Sequence, residues 1–147
     1  MVVPDINLLV YAYNRAAPEH VRARLWWEEL LSSDTPVAIP WVVTLGFIRL
    51  MSHPAVLQQP LSLSSCAGHV HEWFSCPNVR TVDPGRRHWS ILVRLLSRLH
   101  AAGNLITDAH LAAIAMEYNA ELHSNDADFV RFAGLNWVNP LIERESR

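Results

Sequence analysis

Lysine is absent from this chain: all twelve basic residues are arginines. That removes several chemistries at once. A phosphate-cradling P-loop needs a lysine on the phosphates, and Schiff-base or lysine-base catalysis needs one as well. Cysteine is nearly as scarce. Cys66 and Cys76 are the only two, with no C-x-x-C, so the chain carries no disulfide framework and no paired thiolate metal site. Both are expected to pack as small core hydrophobes. Long apolar runs are missing too, and no window approaches the ~18 uninterrupted apolar residues of a membrane span. The start, MVVPDINLLVYAY, has no basic segment and is interrupted by Asp5, which argues against a signal peptide and for a cytoplasmic protein. Positive charge is not in excess either. At a net charge of −2 the chain lacks the basic surface that binds any phosphate backbone strongly.

What is present describes a folded domain. The chain has 147 residues, half of them hydrophobic and six of them tryptophan, enough for one domain with a real core. The whole of 1–147 is read as that single domain, since no repeat, low-complexity tract or long linker divides it. Its order alternates. MVVP is a short buried strand, and INLLVYAYN a buried helix that Asp5 or Asn7 can cap. Pro18 opens a second helix, on which Val21, Leu25, Trp26, Leu30 and Leu31 form an apolar stripe. PVAIP is a strand, WVVTLGFIRLMSH a helix, and Pro54 to Pro60 a loop. SLSSCAGHVHEWFS is helical, NVRTVDP a strand, and RRHWSILVRLLSRLHAAG an amphipathic helix ended by Gly103. ITDAHLAAIAMEYN is a helix, AELHS a strand, DADFVRFA a helical turn and LNWVN a last strand. Short apolar strands alternating with helices predict an α/β fold with a mostly parallel sheet flanked by helices.

In open sheets of this kind, ligands bind beyond the carboxyl ends of the strands. Asp5 follows the first strand, Asp126 and Asp128 follow AELHS, and Asp108 begins the helix that runs into that strand. Each acid has an ordinary explanation alone. Asp5 and Asp108 suit helix caps or first turns, and Asp126 and Asp128 suit an Asx turn and a cap. Together they are harder to dismiss, because three separate segments bring acids to one edge. Like charges held close repel unless a cation lies between them. A set of carboxylate oxygens without matching thiols or imidazoles suits a hard ion, Mg²⁺ or Mn²⁺. Receiver domains also group acids at strand ends but use a lysine there. Haloacid-dehalogenase phosphatases need that lysine too, and a D-x-D where this chain has D-x-N.

MVVPDINLLVYAY, GFIRL, NLITDAHLAAIAMEYNAELHSNDADF and LNWVNP resemble, in order and over nearly the whole chain, the PIN-domain family, specifically the VapC-type ribonuclease toxins of bacterial toxin–antitoxin pairs. The most specific part is D-x-N-x-L-x-Y combined with T-D-A-x-x-A-A-x-A and N-D-x-D-F. The resemblance implies an acidic pocket in which Asp5 and Asp108 are the principal metal-binding aspartates, Asp126 a further acid of the pocket and Asp128 an accessory one. Asn7, Asn125 and Thr107 fall where they can orient carboxylates or water. One departure stands out. Many members carry a glutamate in the helix after the second strand, where this chain has Gly46, followed by Phe47 and Arg49. A close backbone approach there would give the glycine its reason, despite its cost of ~1 kcal/mol relative to alanine within a helix.

The implied activity is Mg²⁺- or Mn²⁺-dependent hydrolysis of RNA, leaving a 5′-phosphate and a 3′-hydroxyl, with Arg15 and Arg49 as RNA contacts near the pocket. The implied partners are a small VapB-like antitoxin, whose C-terminal part wraps the toxin and sets a basic side chain in the pocket, and a second copy in a homodimer. Two alternatives stay open. The Gly46 departure favours a catalytically weak PIN scaffold that binds RNA or a protein, and a phosphatase acting on small substrates is the third. Other features fit structural roles. His69 and His71 stand two apart, pointing to different sides of a helix; His110 relates to Asp108 in the same way, and His123 fits a satisfied structural histidine. Trp26, Trp27 and Trp73 are expected mostly in the core.

Overall fold

The computed structural model describes residues 1–99, 103 and 105–142. Among the described residues, five strands are interleaved with six helices. β1 (Val2–Pro4) leads into α1 (Ile6–Tyr13) and α2 (His20–Leu31), β2 (Val37–Ala38) into α3 (Trp41–Met51) and α4 (Leu63–Ser75). β3 (Val79–Arg80) precedes α5 (His88–Leu96) and α6 (Leu105–Glu117), and β4 (Glu121–His123) is followed by a 3₁₀ turn at Ala127–Arg131 and by β5 (Asn136–Val138). The expected α/β class holds.

The sheet order is β3-β2-β1-β4-β5, and every pairing is parallel. β1 is central, and Val2, Val3 and Pro4 are all buried. This explains why its sequence is uniformly apolar rather than alternating. The chain first builds outward on one side of β1 through β2 and β3, then crosses back to lay β4 and β5 on the other. The direction of growth therefore reverses between β1 and β4. Such a switch point opens a crevice at the carboxyl ends of the two strands, because the connections leave in opposite directions.

The core gathers Leu8 and Leu9 of α1, Trp27 of α2, Phe47 of α3, Trp73 of α4 and Ile114 of α6 against the sheet, all of them 2% exposed or less. α6 packs almost through its whole circumference, with Leu105, Ala109 and Leu111 to Ala115 buried; its run of alanines lets neighbours approach closely. It ends on Asn119 at φ 50°, with Ala120 N–H bonding back to the Ala115 carbonyl at 2.8 Å. A left-handed asparagine with this return bond is a regular helix stop.

Two expectations are corrected. The buried face of α2 is Ala23, Trp27 and Leu30, whereas Val21 and Leu25 are 58% and 53% exposed. Of the expected stripe, Leu30 is buried and Trp26 and Leu31 are half-buried, so the correction falls on Val21 and Leu25 alone. α5 stops at Leu96 instead of running to Gly103; residues 100–102 of that expectation lie outside the described residues. Cys66 is buried and Cys76 partly so, and both are free thiols. Among the described residues no helix is long and apolar enough to cross a membrane.

Candidate active site

The crevice between β1 and β4 is where the acids gather. β1 ends at Pro4, which has no N–H to extend the ladder, and Asp5 N–H bonds the His123 carbonyl of β4 at 2.8 Å. Asp5 then turns the chain into α1 as its N-cap, with Oδ1 accepting from Ile6 N–H at 2.7 Å. Its other oxygen, Oδ2, accepts from the Ser124 hydroxyl at 2.7 Å. Asp5 as a whole is 9% exposed. Burial raises its pKa most, the two donors pull it back, and the charge of Asp126 pushes it up again.

Ser124 holds this edge together. It is fully buried, and while its O–H serves Asp5, its oxygen accepts from Asp126 N–H at 3.0 Å and from Asn7 Nδ2 at 3.3 Å. One hydroxyl thus ties the first aspartate, the loop after β4 and the first turn of α1. Sequence reasoning missed Ser124. Its signal was available in the parallel register: Pro4 pairs with His123, so the next residues along the two strands are Asp5 and Ser124.

Asp126 caps the 3₁₀ turn, with Oδ1 accepting from Asp128 N–H at 2.9 Å. Asp128 faces Arg131 Nε at 3.5 Å across an exposed ion pair. Asp108 stands in the first turn of α6, one turn in from Leu105, so it sits inside the helix rather than capping it. Its carboxyl is pushed up to about 6, first by burial and then by the charges of Asp5, Asp126 and Asp128 in that order. That list is the geometry in electrostatic form: acids from three segments lie within one another's fields. Among the described residues no three acidic, histidine or cysteine side chains are gathered closely enough to clasp an ion unaided. The acids form an open cluster.

The remaining expected residues divide. Asn7 is half-buried, and its Oδ1 has no hydrogen-bond partner, leaving an acceptor beside Asp5 and Ser124. Asn125 Oδ1 accepts from Asn139 Nδ2 at 3.0 Å, which ties the loop after β4 to the end of β5. Thr107 is exposed on α6 next to Asp108. Arg49 is exposed in the last turn of α3. Arg15 lies past the far end of α1, a whole helix from Asp5, and lines a separate cavity with Tyr13 and Trp27; the expectation that it stands near the acids is corrected. His123 is a structural residue. Trp26 Nε1 donates to its Nδ1 at 3.1 Å, and its Nε2 meets Glu121 at 3.0 Å. His110 pairs with the buried His88 at 3.0 Å; burial and that neighbour hold its pKa down.

Gly46 has a visible reason. A Cβ there would stand 2.5 Å from Ile6 Cδ1 and 3.2 Å from its Cγ1. The residue after Asp5 therefore fills the space where a larger side chain on α3 would begin, and a glutamate cannot be accommodated while Ile6 keeps its place.

The pattern of the PIN domain matches residues 2–135. The chain is 43% identical to Ribonuclease VapC33 of Mycobacterium tuberculosis over 97% of its own length and all of that protein's. Among solved structures, it superposes on the VapBC2 complex of Rickettsia felis bound to promoter DNA with a TM-score of 0.69 at 20% identity, covering 95% of this chain and 98% of that one. It also superposes on Mycobacterium tuberculosis VapC20, a toxin that cleaves the sarcin-ricin loop, with a TM-score of 0.64 at 16% identity and coverage of 92% and 98%. The chain belongs to the PIN-domain family, among its VapC ribonucleases.

Proposed function

We propose that this protein is a metal-dependent endoribonuclease, the toxin of a toxin–antitoxin pair, and that Asp5, Asp108, Asp126 and Asp128 carry its chemistry. The observation that supports this most directly is the state of Asp108. A carboxyl raised to about 6 by burial and three neighbouring acids is the signature of a site that lacks its counter-charge. The donors are oxygens throughout, which fits a hard divalent ion, Mg²⁺ or Mn²⁺. Asp5, Asp108 and Asp126 would hold it. When bound, such an ion supplies Lewis-acid polarisation of the scissile phosphate and acidifies the attacking water.

The chain's own groups do the rest. Ser124 and Ile6 N–H fix both oxygens of Asp5, so that carboxylate loses little freedom when it binds. Asp128, outside the metal-holding set and partly exposed, would accept the water's proton. Asn7 Nδ2 donates to the Ser124 hydroxyl oxygen at 3.3 Å and so helps hold the serine that orients Asp5. With a net charge of −2, the protein must hold RNA through local arginines, Arg49 among them, and through stacking. Cleavage leaves a 5′-phosphate and a 3′-hydroxyl. The resemblance and the antitoxin complexes among the structural neighbours support a small VapB-like partner that sets a basic side chain against the acids. We also assign a homodimer and a cytoplasmic location.

A second reading has one observation behind it. Ile6 packed on Gly46 removes a carboxylate that many relatives carry, which favours a weak or inactive scaffold that binds RNA or a protein. Cleavage of single-stranded or loop-containing RNA separates the two. The nuclease cuts with Mg²⁺ or Mn²⁺ and stops in EDTA; the scaffold binds and leaves the RNA whole.

A further inference from the structure

A separate cavity lies away from the acids. It has a volume of about 600 Å³, within the ~300–1,000 Å³ of small-ligand sites. Tyr13, the last residue of α1, lines it. Since Asp5 caps the other end of this eight-residue helix, a rise of ~1.5 Å per residue sets the two sites about 12 Å apart along the axis.

Its walls are differentiated. Trp27, Met51 and Leu57 make an apolar floor, and all three are buried. One side is an aromatic platform, with the Tyr13 and His69 rings 4.5 Å apart. Tyr13 is held from behind: Trp73 Nε1 donates to its hydroxyl at 2.7 Å, and Trp27 Nε1 bears on the same oxygen without completing a hydrogen bond. The loop after α3 brings two primary amides, Gln58 and Gln59, each with donors and an acceptor in one plane.

The rim is cationic in a chain that is acidic overall. Arg15 is exposed and makes no hydrogen bond or ion pair among the described residues. Arg24 is beside it, and the acid of the rim, Glu28, is already engaged by Arg24 at 2.9 Å. His20 donates Nδ1 to the Tyr11 carbonyl at 2.8 Å, leaving Nε2 for another partner. An aromatic wall whose two rings are inclined at 44°, an apolar floor, amides that read donor–acceptor edges and an unpaired guanidinium for a phosphate suit an unstacked nucleotide.

We propose that this cavity is a nucleotide-binding exosite, in which an unpaired base of the RNA is taken up against Tyr13 and His69 while Arg15 holds its phosphate. This rests on the ribonuclease reading and deepens it. The acids cut, and a site one helix length away selects which unpaired stretch is presented to them. A substrate chosen by a splayed base at a fixed distance from the cut is a structured loop rather than a uniform duplex.

The test needs no catalysis. Each of the four ribonucleoside 5′-monophosphates is titrated into the full-length protein and into Asp5→Asn, and the side-chain NMR signals of His20, His69, Gln58 and Gln59 are followed. At least one nucleotide should shift these signals equally in both proteins, inorganic phosphate should shift them far less, and Arg15→Ala should weaken binding about tenfold. Silence at these residues with all four nucleotides overturns the proposal. So does binding that Arg15→Ala leaves intact, or binding lost in Asp5→Asn, which would place the nucleotide at the acids instead. Signals that move only with the co-expressed antitoxin also overturn it and make the cavity a protein-docking site. Because nucleotide binding and cleavage are read separately, either can fail while the other stands.

Discussion

Asp108 carries two opposing demands at the scale of one residue. Its carboxyl is raised from an ordinary 3.8 to about 6, so between those values the folded chain holds a proton that the unfolded chain releases. The stability this group contributes is therefore fully present below about 3.8 and is lost as the pH rises through about 6. Its ionised form at neutral pH opposes the fold, which is a common condition of groups kept for function. Asp108→Asn should then raise the melting temperature by about 2–4 °C near pH 8 in EDTA, the modest size reflecting screening at a half-exposed site. Below about pH 3.8 the gain should vanish. Thermal scans at both ends check this; an unchanged melting temperature at high pH would contradict the crowding of like charges. The sequence showed all four acids because carboxylates at strand ends are conspicuous. It hid Ser124 because a serine beside a polar loop has many ordinary uses, and only strand register places it against Asp5.

At the scale of elements, the sequence spoke most clearly where a helix is apolar over most of its surface. α1, α3 and α6 are apolar over most of their surface, and all three lie where the alternation of strands and helices put them. α2 was ambiguous for a physical reason: Val21 with Leu25, and Ala23 with Trp27, are both spaced by one helical turn. Periodicity cannot choose between two such stripes, and packing against α1 and the sheet decides. Gly46 on α3 shows the reverse case, a residue whose meaning depends on another element. Gly46→Ala should cost about 1–3 kcal/mol through overpacking, because Ile6 must leave its rotamer. In an Ile6→Val background, which removes the atom 2.5 Å from the new Cβ, the same change should cost far less or become favourable. Chemical denaturation of the four proteins measures the coupling. Additive effects would show that α1 and α3 do not share this contact.

For the whole molecule, the feature periodicity could not supply is the order of the sheet. A run of alternating elements fits several parallel arrangements, and only one reverses growth between β1 and β4 and so brings Asp5, Ser124 and Asp126 to one crevice. The surface carries a further message. Leu45 on α3 and Trp89 on α5 are 60% and 69% exposed, apolar side chains that the proposed homodimer could cover. Sedimentation equilibrium at micromolar concentration should return twice the mass of the 16.7 kDa chain; a single-chain mass would contradict the homodimer.

The most direct measurement joins these scales in one assay. Wild-type protein, Asp5→Asn and Asp108→Asn, each shown by circular dichroism to be folded, are incubated with loop-containing RNA in Mn²⁺ or Mg²⁺ and again in EDTA. The wild type should cut only with the ion, leaving 5′-phosphate ends, and each variant should lose at least about a hundredfold in rate, the scale of removing a group that acts on the transition state. Equal cutting by all three folded proteins, or cutting that survives chelation, would show that the aspartates of this crevice do not form the site.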